Sequence, residues 1–503
     1  MRLHVRIFIL LLLANVLTRF FTNYLGVLPR HFNIADVALT LLLWGLSLLH
    51  TSSQPRHPLH RLAAWVLPAV NGIALLAYLF NDHPGHLPAA ASQMLMLSEP
   101  LLLLLAISRL GLTEVEVSRY LKWFEVLVKI EFIIGLFQLQ FFIATGDSES
   151  LMGTFQHNAE HYAAFLTLGI FFLFGKFRVH NKGGGFRVIM MLGMLLLVLV
   201  IDNKASWLGL AVSILAVLLT FGALGGRVTG TITALAGGFL ILGMGLVLVL
   251  NVSGSLYKFD RLTEIWRNGE IARLGKIKAL RDIVTSNKKH PHMWLIGSGP
   301  GSFYSRAARQ YFGASRNKLY ADQNRISAES DDYAASNSMG GVINRADKEP
   351  YFSDIQQVND TIVHVGTGQI DEPFSFYNGL IGELGLLGCF LYLFPYWKLH
   401  GVLKEILKNN PRDCQVVPLT TATYGLLIYM LVNSVYGPML ETGRMTTILW
   451  SLAACCLVFN RRHATGEYEH GLTVGTDLSG DLGMRQQLPP ARNDFGRQEP
   501  VST

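Results

Sequence analysis

Long apolar blocks, separated by short polar breaks, set the plan of this chain. A helix needs roughly 20 mostly apolar residues to cross the hydrocarbon core of a bilayer. Runs of this kind lie at about 7–27, 33–50, 61–80, 91–108, 123–144, 158–177, 186–201, 205–222, 228–251, 376–397, 416–436 and 444–460, which predicts about twelve transmembrane helices. The first run follows Arg2 and Arg6 as a signal peptide would. No small-x-small cleavage site follows Ile7–Leu13, and Arg19 interrupts its end, so it reads as an uncleaved span. The expected fold class is all-α integral membrane protein, organised as 1–251 with nine spans, a large loop 252–375, three spans in 376–460 and a tail 461–503. That tail is rich in Gly, Asp, Arg, Gln and Pro and has little to bury, so disorder is expected there.

Composition sharpens this picture by exclusion. Of the 503 residues, 50% are hydrophobic and 15% charged, against about 25% charged in soluble domains; a soluble multidomain enzyme is excluded. The four cysteines, Cys389, Cys414, Cys455 and Cys456, all lie outside the large loop, so no disulfide framework is available. The net charge of +7 points to topology rather than to nucleic acid. With the N-terminus inside, the cytoplasmic segments collect Arg56, Arg61, Arg109, Arg119, Lys176, Arg178, Lys182, Arg187, Arg227, Lys398, Lys404, Lys408, Arg412, Arg461 and Arg462. Only Arg30 and Lys204 stand clearly against that bias, which places both termini in the cytoplasm and 252–375 on the far side.

The loop is electrically split. From 252 to Arg325 it holds 14 Lys/Arg against 5 Asp/Glu, and from 326 to 375 it holds 2 against 9. The basic half suits an anionic ligand such as a pyrophosphate, although mutual pairing of the two halves explains the split equally well. Within it, Ile271, Leu274, Ile277, Leu280 and Ile283 recur at helical spacing and predict an amphipathic helix over 270–286, with Arg273, Lys276, Lys278 and Arg281 on its remaining surface. That surface reads either as a solvated or headgroup-contacting face or as an anion grip. An apolar, strand-like run at Trp294–Ile296 then turns into Gly297, Gly299 and Gly301, a glycine-rich turn of structural or phosphate-approaching kind.

Polar residues inside the apolar runs are few. Arg19 and Glu99 read as a mutual pair or as a substrate pathway, and Glu125 and Lys129 as an i, i+4 pair. Tyr436, Glu441 and Arg444 border the last outward loop, where Arg444 is a candidate to join a site. His157, Glu160 and His161 open the sixth span at i, i+3 and i+4, near one helical face. A general base, a metal pair and a helix-capping role are all open for them.

Four segments, in order and on this topology, resemble the O-antigen ligase and polymerase superfamily, bacterial multi-span glycosyltransferases acting on undecaprenyl-pyrophosphate-linked glycans. Gly153-Thr-Phe-Gln-His157-Asn158 looks like the family's Gly-Thr-Phe-Asn-Pro-Asn. Asp202-Asn203-Lys204-Ala205-Ser206 stands where the family usually reads Ser-Arg-Gly. Arg273 and its helix, running into Leu295-Ile-Gly297-Ser-Gly299-Pro300-Gly301-Ser-Phe303, is similar to the family's Arg-helix followed by Leu-Gly-x-Gly-Pro-Gly-x-Phe. Glu383-Leu-Gly385-Leu-Leu-Gly388 matches Glu-x-Gly-x-x-Gly. Two departures stand out. Phe374 and Ser375 occupy the positions where many members have His-Asn, and Lys204 keeps a positive charge without the guanidinium fork.

The resemblance implies transfer of a glycan from the lipid pyrophosphate to an acceptor sugar hydroxyl at the outer face of the bacterial inner membrane. The departures favour a polymerase of O-antigen or exopolysaccharide over a ligase or oligosaccharyltransferase. Cations at the leaving pyrophosphate lower the barrier without a metal or other cofactor, and Lys204, Arg273 and Arg281, with Gly299 and Gly301, are the expected pyrophosphate site. The base is expected among His157, Glu160, His161 and Glu372, with His364 a competitor. Expected partners are the lipid-linked glycan, the acceptor glycan and a chain-length regulator or other polysaccharide-assembly proteins. From another class, a transporter of lipid-linked or anionic solute would carry its functional charges near the midplane, in paired broken helices.

Overall fold

The computed structural model describes residues 2–29, 34–49, 57–80, 87–145, 151–155, 159–179, 184–201, 204–225, 267, 275–303, 375–437, 439–441 and 443–465. Among them the regular structure is helical throughout, without a strand. The long helices are α1 (Leu3–Arg19), α2 (Ala35–Leu49), α3 (Pro58–Phe80), α4 (Leu87–Leu110), α5 (Glu114–Thr145), α6 (Ala159–Val179), α7 (Gly184–Val200) and α8 (Lys204–Gly225). After them come α9 (Gly275–Lys289), the single turn α10 (Met293–Ile296), α11 (Phe376–Asn409), α12 (Val416–Asn433) and α13 (Gly443–Thr465). A π-helical turn, Phe20–Tyr24, extends α1, and a 3-10 turn, Met439–Glu441, precedes α13.

Eight of the described helices are long and apolar enough to cross a membrane, and three shorter apolar ones, Ala35–Leu49, Gly184–Val200 and Ala205–Phe221, coincide with further expected spans. The expected span 228–251 and most of the expected loop, 304–374, lie outside the described residues. The helices differ in how they are used. Of the residues in the 18-residue apolar stretch of each helix, 83% and 89% are buried in α12 and α13, against 33% and 28% in Pro58–Phe80 and Glu114–Ile143. The last two therefore form the periphery, with Trp65, Leu79, Phe137 and Phe141 facing outward, as a bilayer-facing surface requires.

Helix ends are set by local chemistry. Gly111, at φ +62°, terminates α4, and Thr113 leads into α5. The Glu116 carboxylate reaches back to the Thr113 N–H at 2.9 Å and accepts from its hydroxyl at 3.0 Å. Arg2 then bonds Glu116 and donates to the Gly111 carbonyl at 3.3 Å, tying the start of α1 to this turn. Asp413 caps α12, its carboxylate accepting from the Gln415 and Val416 N–H groups at 2.8 and 2.9 Å. Both turns lie at the end of the bundle where the chain begins. We call this the proximal end and its opposite the distal end.

α11 continues past the expected limit at 397, because Lys398, Lys404 and Lys408 extend the helix beyond its apolar part instead of ending it. It is also broken once, at Gly385, with φ 66° and ψ −174°.

Candidate functional site

The break in α11 releases backbone groups that a second segment takes up. In an unbroken helix the carbonyls of residues 382 and 383 accept from the N–H groups four residues on. Here the Gly382 carbonyl accepts from the Ser298 N–H at 2.8 Å and from the Ser298 hydroxyl at 2.9 Å, and the Glu383 carbonyl accepts from the Gly299 N–H at 2.9 Å. The Glu383 carboxylate, 1% exposed, accepts from the Gly301 N–H at 2.9 Å and the Phe303 N–H at 3.1 Å. A Cβ on Gly385 would overlap the Leu295 backbone, and one on Gly297, itself at φ +74°, would overlap that of Glu383. The two strings of residues singled out by the resemblance thus cross at glycine-on-backbone contact. The loop wedges on against α3 and α4, where Cβ atoms on Gly299 and Gly301 would stand 3.5 Å from Tyr78 and 2.6 Å from Ala89.

One expectation about this segment changes. The run before the glycines is a helical turn and not strand-like: the Leu295 and Ile296 N–H groups donate to the His292 carbonyl at 3.1 and 3.2 Å. The N–H groups of Gly299 and Gly301, residues expected at a pyrophosphate, donate to Glu383, so these residues shape the loop around the carboxylate.

The Gly153-Thr-Phe segment is held in a comparable way. Thr154 donates its N–H to the Glu131 carboxylate at 3.1 Å, and its hydroxyl lies against both that carboxylate and the Val16 carbonyl. Gln138 accepts from the Met152 and Gly153 N–H groups at 3.1 and 2.7 Å and donates to the Gly153 carbonyl at 3.1 Å. Glu131 is fully buried. It went unread in the sequence, where its only signal is a carboxylate inside an apolar run.

Glu160 and His161 open α6 directly after this segment, and they part company. Glu160 is half-buried, and its carboxylate lies 3.5 Å from where a Cβ on Gly437 would stand. Tyr429 of α12 stands against Ser206 of α8 and within electrostatic reach of Glu160. His161 is buried, with its ring edge-on to Phe155 at 6.4 Å. Consecutive helical residues point 100° apart, so one faces the connection between α12 and α13 and the other the core. That connection also meets α11, since the Phe376 N–H donates to the Ser434 carbonyl at 3.1 Å. Lys204 begins α8, and Arg281 is exposed on α9. His157, Arg273, His364 and Glu372 lie outside the described residues, as does the side chain of Lys204. Among the described residues no three His, Cys, Asp or Glu side chains come together as metal ligands.

A second polar assembly lies deeper at the distal half. Glu99, 1% exposed, accepts from the Thr40 and Thr447 hydroxyls, each at 3.2 Å. These hydroxyls are its hydrogen-bond partners among the described residues, so of the two open readings the mutual pair with Arg19 is not the one seen. Arg444 approaches Asp36 at 3.8 Å, and Gln93 donates to Glu441 at 3.0 Å. Tyr392 of α11 borders both Glu441 and Glu99 electrostatically. Asp36 and Gln93 escaped the sequence reading, one looking like a span boundary and the other carrying no charge. At the proximal end, Glu125 holds Lys129 at 3.2 Å, the expected i, i+4 pair, and adds Lys176 of α6. A scan against protein-family models finds no match to this chain, and a search of curated proteins finds none either.

Proposed function

We propose that this chain is a membrane glycosyltransferase, a polysaccharide polymerase that moves a glycan from undecaprenyl pyrophosphate to an acceptor sugar hydroxyl. The observation that carries the reading is the meeting of the family-like segments at the distal end. The Leu295–Phe303 loop locks onto Glu383 and Gly385, while Glu160, beside the Gly153 segment, neighbours Gly437 and Tyr429, and Tyr429 in turn stands against Ser206. The positive-inside bias orients that end toward the outer face of the bacterial inner membrane, with both termini in the cytoplasm and 252–375 in the periplasm.

In the proposed reaction the acceptor oxygen attacks C1 of the donor sugar. The C1–O bond to the pyrophosphate breaks as the new glycosidic bond forms, and the hydroxyl proton passes to a base. Glu160 is our first choice for that base, because it is half-buried at the distal end while His161 is enclosed in the core. His157 and Glu372 remain in the proposed set, and Lys204 and Arg273 supply the charge that the leaving pyrophosphate needs. No metal or cofactor enters this scheme, and a chain-length regulator is a fitting partner.

The test is the glycan pool of a deletion strain, read by mass spectrometry of undecaprenyl-linked species. Single repeat units without polymer are expected. Long polymer stranded on the carrier would make the chain a ligase or oligosaccharyltransferase. An unchanged pool would overturn both and favour the transporter reading, which has one observation on its side: the buried Asp36, Glu99, Glu441 and Arg444 assembly within the helices. Glu160→Gln should lower polymer output by about 10²–10⁴-fold, the usual weight of a positioned general base, with the protein still present in the membrane. Wild-type output from that variant removes Glu160 from the role.

A further inference from the structure

Helix α9 carries more apolar surface than the other described residues cover. Its sequence periodicity puts Ile277, Leu280 and Ile283 on one stripe, which in a soluble protein would be the buried face. The structure divides that stripe. Ala279, Ile283, Ser286 and Asn287 are buried where α9 packs on α10 and α11, while Ile277 and Leu280 stay 39% and 47% exposed. At 100° per residue, Ile277, Leu280 and half-buried Val284 form one edge of the helix, and Arg281 and Lys288 border it on one side, within about 40° of Ile277. Arg281, Lys288 and Lys289 are all exposed. The apolar edge continues on α10 in Leu295, which is 62% exposed.

The level of this element is fixed by the loop that follows it. Gly299 abuts Tyr78, two residues before the end of α3, and Gly301 abuts Ala89, two residues after the start of α4. Both are among the helices long and apolar enough to cross a membrane. Their ends mark the height at which hydrocarbon gives way to headgroups, and the exposed residues there, Leu79, Phe80 and Leu87, are apolar as well.

We propose that α9 and α10 form an interfacial element on the bilayer, with Ile277, Leu280 and Leu295 entering the acyl boundary and Arg281, Lys288 and Lys289 binding the phosphates of anionic lipid headgroups. An apolar edge bordered by cations is the arrangement that holds a helix in the plane of a membrane surface, and each cation near an anionic leaflet adds to the attraction. The same element leads into the loop latched by Glu383, so lipid contact at α9 bears on where that loop sits. The proposal rests on exposure and helix level alone and stands whether or not the chain transfers glycans.

The test uses the full chain with Cys414→Ser, which removes the one exposed thiol among the described residues; Cys389, Cys455 and Cys456 are buried. Leu280→Cys, or as a reference the exposed Thr285→Cys, is labelled with an environment-sensitive fluorophore. The protein is then reconstituted in vesicles of phosphatidylcholine, alone or mixed with phosphatidylglycerol. The probe at 280 should emit at shorter wavelength and be quenched by a shallow nitroxide lipid, more so with phosphatidylglycerol, while the probe at 285 is quenched by aqueous iodide. Combining Arg281→Glu, Lys288→Glu and Lys289→Glu should remove the phosphatidylglycerol increment. Equal iodide quenching at 280 and 285, or an increment that survives charge reversal, would overturn the proposal. Loss of the increment on adding inorganic pyrophosphate would assign the cations to a soluble phosphate ligand and overturn it too.

Discussion

At the proximal end of the bundle the carboxylates meet cations in partly open surroundings. Glu125, 28% exposed, sits between Lys129 and Lys176, and Glu116 meets an Arg2 that is 46% exposed. At the distal end Glu131, Glu383 and Glu441 are at most 1% exposed, and they accept from backbone N–H groups, a hydroxyl and an amide. The difference is one of task. A half-exposed ion pair fastens one helix end to another and is screened by water and salt. A buried carboxylate that accepts two N–H groups fixes the path of a loop, because losing it strands both donors without water. At the distal end Glu131 and Glu383 hold irregular backbone in place, and irregular backbone is where sites are built.

The comparison is broken most severely at the crossing of the two glycine strings. Gly385→Val must adopt φ 66° with ψ −174°, a combination essentially reserved for glycine and costing about 1–3 kcal/mol, and also overlap Leu295, adding about 1–3 kcal/mol. We expect a large drop in the thermal midpoint of the detergent-solubilised protein, together with loss of any activity that depends on the loop. Gly45→Ala, in α2 with open space around it, should stabilise slightly by the same measurement. If the two substitutions behave alike, the crossing is not a structural joint.

Glu383→Ala comes next. It leaves the Gly301 and Phe303 N–H groups without their acceptor, at about 1–3 kcal/mol each. Glu383→Gln should fall between alanine and wild type, since the amide offers one acceptor oxygen and turns a donor toward the other N–H. Hydrogen exchange at Gly301 and Phe303 reads this directly. Unchanged protection in Glu383→Ala would mean that the loop is held by its glycine contacts alone. Glu131→Ala should follow the same pattern at Thr154, with a somewhat smaller effect because Gln138 still holds the neighbouring Met152 and Gly153.

The helices themselves were legible, and the joints between them were not. Eleven of the twelve expected apolar runs coincide with described helices, because burial in lipid or protein demands the same continuous apolar stretch. Glu383-Leu-Gly385-Leu-Leu-Gly388 reads as a helix with small residues for close packing. That it breaks at Gly385 depends on the Leu295 backbone, which lies 90 residues away in the chain. The polar residues divide the same way. Glu125 and Lys129 are neighbours by helical spacing and so were visible, whereas Asp36 finds Arg444 and Gln93 finds Glu441 only through the fold. In α9 the periodicity located the helix but not its buried side, because an amphipathic pattern marks the apolar residues without saying whether protein or lipid covers them.

The smallest effect is expected where the charges are most visible. Arg2→Ala removes the partner of Glu116 and a donor to the Gly111 carbonyl, yet Glu116 keeps the Thr113 N–H and hydroxyl as donors. With Arg2 46% exposed, the loss should be no more than about 1 kcal/mol and should shrink further in high salt, since exposed charges are screened within about 10 Å at 0.1 M. Thermal midpoints of wild type and Arg2→Ala, compared at low and high salt, should therefore converge, while the gap between wild type and Glu383→Ala stays constant. A salt-independent Arg2→Ala defect as large as that of Glu383→Ala would dissolve the contrast between the two ends. The start of α1 would then be as firmly built into the α4–α5 turn as the loop is into α11.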